Sequence, residues 1–187
     1  MLIEKIQELR EQNKPVRLHL GCGTRVFDDY LNIDGDYMAG TPGIFVHDIS
    51  QPFPVDENSV DEILSIHVIE HIMPDQVPGI LREWLRMLKP GGCVAIEWPD
   101  LLKMCQYIAS DPSRIYSTDR KVQKRSVGGI FGNIIRYQDP VMLHKWGYSE
   151  ESLGLLLKQN GYTNVRSEPN HYPKTEMCSR VVGFKCY

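Results

Sequence analysis

The sequence lacks an apolar run long enough to cross a membrane, and it lacks the pattern of a signal peptide. No run reaches 18 apolar residues, and residues 1–14 mix charged with apolar side chains. The five cysteines form no C-x-x-C pair and their number is odd, which argues against a disulfide framework. These absences predict a cytoplasmic protein with reduced thiols.

The sequence also has little net charge. Its 187 residues are 42% hydrophobic and 24% charged, with a net charge of −3, as is usual for a globular protein. This slightly acidic balance argues against a broad nucleic-acid surface, and the local cluster Arg120, Lys121, Lys124 and Arg125 is typical of a solvated helix face. With no internal repeat, the length predicts a single domain over residues 1–187.

The most informative stretch is 16–36, where two short apolar runs flank the turn Gly21-Cys22-Gly23. Runs so short favour buried strands over helices. The two glycines permit positive φ and a close approach of the backbone to a ligand. Asp34 ends the second run, where a carboxylate can bind both hydroxyls of a ribose. The stretch therefore predicts a cradle for a small molecule, although a tight turn with a surface Asp remains an alternative.

This turn does not match the sequence motif that binds a nicotinamide cofactor. Its fingerprint requires a third glycine at position 26, where the chain has Val26, and an acidic residue about 20 residues further on. Asp34 follows Gly21 by only 13 residues. The pattern therefore excludes the usual dinucleotide-binding motif.

The rest of the chain predicts strands that alternate with helices. Further strands are expected at 44–46, 60–66, 93–97, 162–167 and 180–187, and helices at 2–13, 81–88, 101–110 and 149–160. About ten residues separate the first two strands, so the first crossover helix must be shortened or missing. The last two strands have no helix between them and predict an antiparallel hairpin at one edge. The expected fold is a doubly wound, Rossmann-like, mostly parallel α/β sheet.

Segment 113–147 has the loosest pattern in the chain. A long irregular insertion before the final helix can cover an open site, and Gly128-Gly129 could let it move. We expect an acceptor-site lid here, whose stacking surfaces and titratable group would be Phe131, Tyr137, His144 and Trp146. The alternative is that these rings pack against the sheet as ordinary core.

Several motifs together resemble a known family. The stretches L-H-L-G-C-G, H-V-I-E-H-I, L-K-P-G-G and G-Y-S-E-E-S-L, together with the strand-end Asp34, are similar to class I S-adenosylmethionine-dependent methyltransferases. The likeness is closest to small single-domain members found among polysaccharide-modifying or tailoring enzymes. It implies a seven-stranded sheet with an antiparallel last strand, S-adenosyl-L-methionine as cofactor, and a small-molecule or saccharide acceptor that is methylated at a hydroxyl oxygen.

The resemblance also implies roles for individual positions. The turn would hold the amino-acid part of the cofactor, the second strand end its ribose, the third strand end its adenine, and the fourth strand end would lie beside the sulfonium. The turn consists of Gly21, Cys22 and Gly23. The residues at the second, third and fourth strand ends are Asp34 for the ribose, Asp48 with Ile49 for the adenine, and His67 beside the sulfonium.

The candidate catalytic bases are His67 and His144, because an imidazole titrates near neutrality and a hydroxyl acceptor must lose its proton. The fourth strand lacks the N/D-P-P-Y/F motif of nucleic-acid amino-methylating enzymes, so no nucleic-acid partner is expected. No membrane partner is expected either.

Two alternatives come from other classes of protein. His67, Glu70 and His71 spell H-x-x-E-H, an inverted zinc-peptidase motif, but that site requires a long helix and a third protein ligand. Pro74 follows too closely for such a helix, so we expect no metal. The other alternative is a cofactor-binding module without catalysis, since a fold does not guarantee chemistry.

Overall fold

The computed structural model describes residues 2–132, 142–171 and 176–187. Its strands are β1 (Arg17–Leu20), β2 (Leu31–Asp34), β3 (Ile44–Val46), β4 (Val60–Ile66), β5 (Leu88–Pro99), β6 (Thr163–Glu168) and β7 (Cys178–Phe184). The α-helices of these residues are α1 (Leu2–Glu11), α2 (Val77–Met87), α3 (Leu101–Ala109), α4 (Arg120–Arg125), α5 (Val127–Phe131) and α6 (Glu150–Gln159). Short 3₁₀ turns lie at Asp36–Met38, Ile69–His71 and Pro112–Tyr116.

The seven strands form one sheet in the order β3-β2-β1-β4-β5-β7-β6. The first five strands are parallel to one another, and β7 pairs antiparallel with both β5 and β6. This confirms the predicted Rossmann-like sheet and its antiparallel carboxy-terminal edge hairpin. The strand order reverses beside β1 and β4, which is where open α/β sheets bind ligands.

Apolar side chains of the central strands and helices form the core. Leu18, Ile33 and Ile63 are fully buried in the sheet, and Trp84 of α2 and Trp98 of β5 are also fully buried. Burying a side chain of this size contributes roughly 1.5–3 kcal/mol to stability. The sheet is therefore a rigid support for the loops at its carboxyl edge.

The structure differs from the predicted end of α2. The helix ends at Met87 and β5 starts at Leu88, so Lys89-Pro90-Gly91-Gly92 belongs to the strand. The Lys89 ammonium donates to both carboxylate oxygens of Asp61 at 2.8 Å, which keeps this segment beside β4. Gly91 has φ +80°, and a β-bulge interrupts the β4–β5 register at this point. The glycines thus bend a strand here and do not cap a helix.

The described residues contain no helix between β1 and β2, as predicted from the short crossover. The buried side-chain amide of Asn32 stabilises this loop in place of a helix. The Asn32 side chain donates to the carbonyls of Phe27 and Tyr30 at 2.9 and 3.0 Å and accepts from the Phe27 amide at 3.0 Å. His19 completes the contact from β1, because its Nδ1 lies 3.2 Å from the same amide oxygen.

No helix in the part of the chain that the structure describes has the length and apolar character needed to cross a membrane. The thiols of all five cysteines are unpaired.

Candidate functional site

The carboxyl ends of β1, β2 and β4 meet at one edge of the sheet, where the Gly21-Cys22-Gly23 turn leaves β1. Gly21 and Gly23 have φ values of +68° and +54°, as their sequence pattern predicts. The amides of Gly21 and Cys22 donate to the Ile33 carbonyl at 2.9 and 3.2 Å. The turn is therefore anchored to the end of β2.

The two glycines have different roles. A Cβ on Gly21 would lie 2.3 Å from the Cγ2 atom of Val68, so glycine is required for packing at this position. A Cβ on Gly23 would meet no atom within 4 Å. Gly23 therefore presents its backbone to open space, which is the geometry that a ligand cradle needs.

The Asp34 carboxylate supports this turn from the end of β2. It is only 5% exposed, and its two oxygens accept hydrogen bonds from the amides of Gly23 and Gly35. The Cys22 side chain beside them is buried, and burial together with the charge of Asp34 raises the pKa of its thiol to about 12. Cys22 is thus a neutral wall of the turn and not a reactive thiolate.

Asp48 and Ile49 follow β3 at the same edge. The His47 amide donates to the Asp34 carbonyl at 2.8 Å, which holds this loop beside the cradle. Asp48 is exposed and accepts hydrogen bonds from the amide and hydroxyl of Ser50 at 2.9 and 2.8 Å. The half-buried Ile49 packs against the core. The loop combines a polar group with an apolar surface.

His67 directly follows β4 and has a strained conformation, with φ +56°. Such strain costs of order 1–3 kcal/mol and is concentrated at functional sites. Its Nδ1 lies 3.3 Å from Oε1 of Glu70, and its Nε2 lies 3.6 Å from the Cys178 sulfur. Burial lowers the pKa of His67, but the contacts with Cys178 and Glu70 outweigh burial and raise it to about 10. The ring is therefore protonated at neutral pH, and acting as a base requires it first to pass on that proton.

His144 approaches the same carboxylate from the segment before α6. Its Nε2 lies 4.0 Å from Oε1 of Glu70, and its ring centroid lies 4.8 Å from that of His71. Burial lowers the pKa of His144 more than the charge of Glu70 raises it. Both histidines predicted as bases, His67 and His144, thus converge on Glu70, which is 2% exposed.

Solved structures share the whole architecture. A SAM-dependent methyltransferase from Archaeoglobus fulgidus aligns with a TM-score of 0.61 and 15% identity, over 97% of this chain and 93% of that chain. A SAM-dependent methyltransferase from Thermotoga maritima, a possible histamine N-methyltransferase, aligns with a TM-score of 0.58 and 18% identity over 96% of this chain and 87% of that one. At this identity the likeness establishes the fold.

Sequence comparison finds similar methyltransferases. Residues 18–96, which contain the glycine turn, Asp34 and His67, match a family model described as a methyltransferase domain. This part of the chain is therefore similar to methyltransferases in sequence as well as in fold. A tRNA N(3)-cytidine methyltransferase, METTL2, from Mus musculus is 32% identical over 104 residues, which are 47% of this chain and 27% of that protein. An uncharacterized methyltransferase from Mycobacterium bovis is 36% identical over 70 residues, 37% of this chain and 27% of that protein. The chain thus spans about a quarter of the length of these curated relatives.

S-adenosylmethionine is the cofactor of the solved methyltransferases that this chain resembles, and the cradle has features that fit it. The open face of Gly23 leaves room for a ligand against the backbone. Each Asp34 oxygen accepts one amide hydrogen bond and retains lone-pair capacity for a hydroxyl donor. The neutral Cys22 and the apolar Ile49 border the same edge without adding charge.

Sequence reasoning missed several side chains that support this site. Cys178, at the start of β7, is far from His67 in the chain but in contact with its ring. Glu97 and Arg180 form a buried ion pair at 2.8 Å, and the Glu97 carbonyl accepts from the His67 amide at 2.8 Å. Glu97 could have been found from the sequence, because it is a charged residue at the end of a predicted strand. No local sequence pattern indicates the antiparallel pairing that brings Cys178 and Arg180 close to it.

The H-x-x-E-H motif and the expected lid were also predicted to bear on the site. The H-x-x-E-H stretch does not form an α-helix: His67 directly follows β4 and His71 ends a single 3₁₀ turn, so the geometry of a zinc peptidase is absent from it. In the expected lid, Phe131 and Trp146 are 61% and 53% exposed, which argues against ordinary core packing for these two rings. Tyr137 lies outside the described residues.

Proposed function

We propose that this chain transfers the methyl group of S-adenosylmethionine to a hydroxyl oxygen of a small molecule or saccharide. The observation that carries the proposal is the open, positive-φ backbone of Gly23, held by the buried Asp34 carboxylate beside the end of β4. This arrangement provides a cofactor cradle and a reaction site at one edge of the sheet. The unpaired thiols are consistent with a cytoplasmic location.

The cofactor would lie across the three strand ends. Its amino-acid part would contact the turn at 21–23, and its ribose hydroxyls would donate to Asp34. Its adenine would pack on Ile49 and donate its exocyclic amine to Asp48. The exposed carboxylate of Asp48 and the half-buried side chain of Ile49 support this assignment.

The reaction would be an in-line displacement at the methyl carbon. The bond from the methyl group to the sulfonium breaks as the bond to the acceptor oxygen forms, and the acceptor hydroxyl gives up its proton. Alignment at roughly 3 Å supplies much of the rate enhancement in such a reaction. His67 and His144 are the proposed proton acceptors, and both rings lie close to Glu70. His67 would accept the proton of the acceptor only after it has passed on its own.

The acceptor would lie under segment 114–146. The exposed rings of Phe131 and Trp146 suit stacking against a sugar or a planar metabolite. Two cations of this segment already have partners: Arg114 is 3.8 Å above the Tyr107 ring, and Arg125 pairs with Glu176. This engagement, together with a net charge of −3, favours a neutral acceptor over the tRNA of the mouse relative.

A mass-spectrometric screen tests the proposal. The protein would be incubated with S-adenosylmethionine and panels of hydroxylated metabolites and oligosaccharides, with a tRNA pool in parallel. We expect S-adenosylhomocysteine and a methylated hydroxyl product to form together, and Trp146→Ala to raise the KM for that acceptor without changing thermal stability. Methylation of tRNA alone would refute the acceptor class. Tight cofactor binding with no product in any panel would favour the binding module.

A further inference from the structure

Three potential metal ligands converge where the turn after β4 meets the segment before α6. Glu70 and His71 come from the 3₁₀ turn Ile69–His71, and His144 comes from the other segment. Each offers one ligand atom, and these atoms all lie within 4.8 Å of one another. The set differs from the sequence motif H-x-x-E-H, because His144 joins it from a distant position and His67 lies outside it.

Glu70 contributes a buried carboxylate to this cluster. The residue is 2% exposed, and neither carboxylate oxygen accepts a hydrogen bond from a residue that the structure describes. Burying a charged carboxylate is unfavourable unless a cation or several donors compensate it. His67 compensates part of this charge, since its Nδ1 lies 3.3 Å from Oε1. The remaining capacity of the two oxygens is available to a cation.

The cluster is fixed by hydrogen bonds of its own surroundings. The Nδ1 of His71 donates to the Leu143 carbonyl at 3.0 Å, so the neutral ring keeps its lone pair on Nε2. A second hydrogen bond of this kind is how proteins usually orient a metal-binding histidine. The amides of Lys145 and Trp146 donate to the Glu70 carbonyl at 2.7 and 3.2 Å, which joins the two segments through the backbone.

We propose that Glu70, His71 and His144 bind one divalent transition-metal ion, with zinc as the reference ion. Two imidazoles and one carboxylate match the ligand set of zinc sites that keep a fourth position open. Bonds of roughly 2.0–2.2 Å in a tetrahedral site place ligand atoms about 3.4 Å apart. The three ligands therefore need to draw together by up to about 1.4 Å, which side-chain rotation can provide. The sequence had led us to expect no metal, and this proposal replaces that expectation.

The ion would have a use in the reaction proposed above, in which His144 would then serve as a metal ligand and leave the role of proton acceptor to His67. A hydroxyl group that occupies the open position becomes more acidic, because the metal stabilises its conjugate base. His67, which follows β4 at the edge assigned to the cofactor, lies 3.3 Å from the same carboxylate, so an acceptor bound there would lie near the methyl group. This use depends on the proposed methyl transfer, whereas the binding of the ion does not.

Metal binding can be measured without turnover. The purified protein would be stripped with a chelator and dialysed against zinc, and its metal content would be determined by elemental mass spectrometry. Cobalt substitution would report the coordination geometry by visible absorption. We expect one ion per chain, a tetrahedral cobalt spectrum, and at least a 100-fold loss of zinc affinity in His71→Ala and in His144→Ala. His171→Ala, which removes an exposed imidazole, is the matched control and should bind like the wild type.

Two results would overturn the proposal: zinc content at background in the reconstituted protein, or equal zinc affinity in His144→Ala and His171→Ala. Glu70→Gln keeps the shape of the side chain and serves as a third ligand variant if a histidine variant unfolds. Affinity for S-adenosylhomocysteine would be measured on the same samples. A protein that binds the nucleoside but no metal refutes only the metal site, and a protein that binds metal but no nucleoside refutes only the proposed function.

Discussion

Replacing Gly23 with alanine tests whether the turn after β1 is a cofactor cradle. The added methyl group meets no protein atom within 4 Å, so it enters only the space assigned to the cofactor. Gly40→Ala provides a matched control. Gly40 lies before β3, has φ +82° against +54° for Gly23, and also has no atom within 4 Å of an added Cβ.

The expected loss of cofactor affinity is obtained by separating the cost of backbone strain from the cost of placing a methyl group against the cofactor. An alanine with left-handed backbone angles costs roughly 1–2 kcal/mol, and this cost applies to both variants. Only Gly23→Ala places a methyl group against the bound cofactor, and overpacking of this size costs about 1–3 kcal/mol. Since each 1.4 kcal/mol is a factor of ten, its affinity for S-adenosylhomocysteine should fall about 5-fold to 140-fold.

Calorimetric titration measures the affinity for S-adenosylhomocysteine, and thermal unfolding measures the stability of each variant. We expect the two variants to lose similar stability and only Gly23→Ala to lose affinity. If both variants bind as tightly as the wild type, or both weaken equally, the turn does not hold the cofactor.

Three further predictions concern single side chains. Asp34→Ala should weaken S-adenosylhomocysteine binding by about 1.5–3 kcal/mol in calorimetry, because it removes charged hydrogen bonds, and unchanged affinity would exclude Asp34 from the site. His67→Ala should slow single-turnover methyl transfer by about 10²–10⁴ while cofactor affinity persists, and a loss below tenfold would leave His144 as the candidate base. Glu83 has its pKa lowered by its hydrogen bond to Arg86, so its ionised form stabilises the fold above its ordinary pKa of 4.5, and this contribution is lost as the pH falls through the lower folded value. Because this pair lies near the surface, where solvent screens it, Glu83→Gln should lower the free energy of urea unfolding by only about 0.5–1 kcal/mol at neutral pH. The difference should vanish in strong acid, and a difference that persists there would refute the electrostatic cause.

The sequence was sufficient to predict the sheet because its strands carry short apolar runs bounded by glycine, proline or acidic residues. Val60–Ile66 and Ile44–Val46 have the predicted bounds. The end of α2 was predicted to within one residue, but the assignment of residues 89–92 to its terminator was wrong. Lys-Pro-Gly-Gly is a usual helix terminator, and the bulge that contains it here depends on pairing with β4. Local patterns cannot indicate such long-range pairing.

The candidate site divides in the same way. The glycine turn, Asp34 and His67 lie at strand ends, so their proximity follows from the parallel order of the strands. The meeting of Glu70 with His144 could not be predicted, since 74 positions separate them and the contact depends on backbone hydrogen bonds from Lys145 and Trp146. Sequence reasoning gave the two histidines a common role without predicting their common partner.

Hydrogen–deuterium exchange with and without S-adenosylhomocysteine tests the central claim most directly. We predict that the nucleoside slows exchange in peptides that cover 23–30, 35–40 and 47–51, the loops that follow β1, β2 and β3. Exchange in α6, which packs on β6 and β7 away from these loops, should not change. Saturating nucleoside that leaves all three loops unchanged, or that protects only another part of the protein, would contradict the assignment of the cofactor to this edge of the sheet.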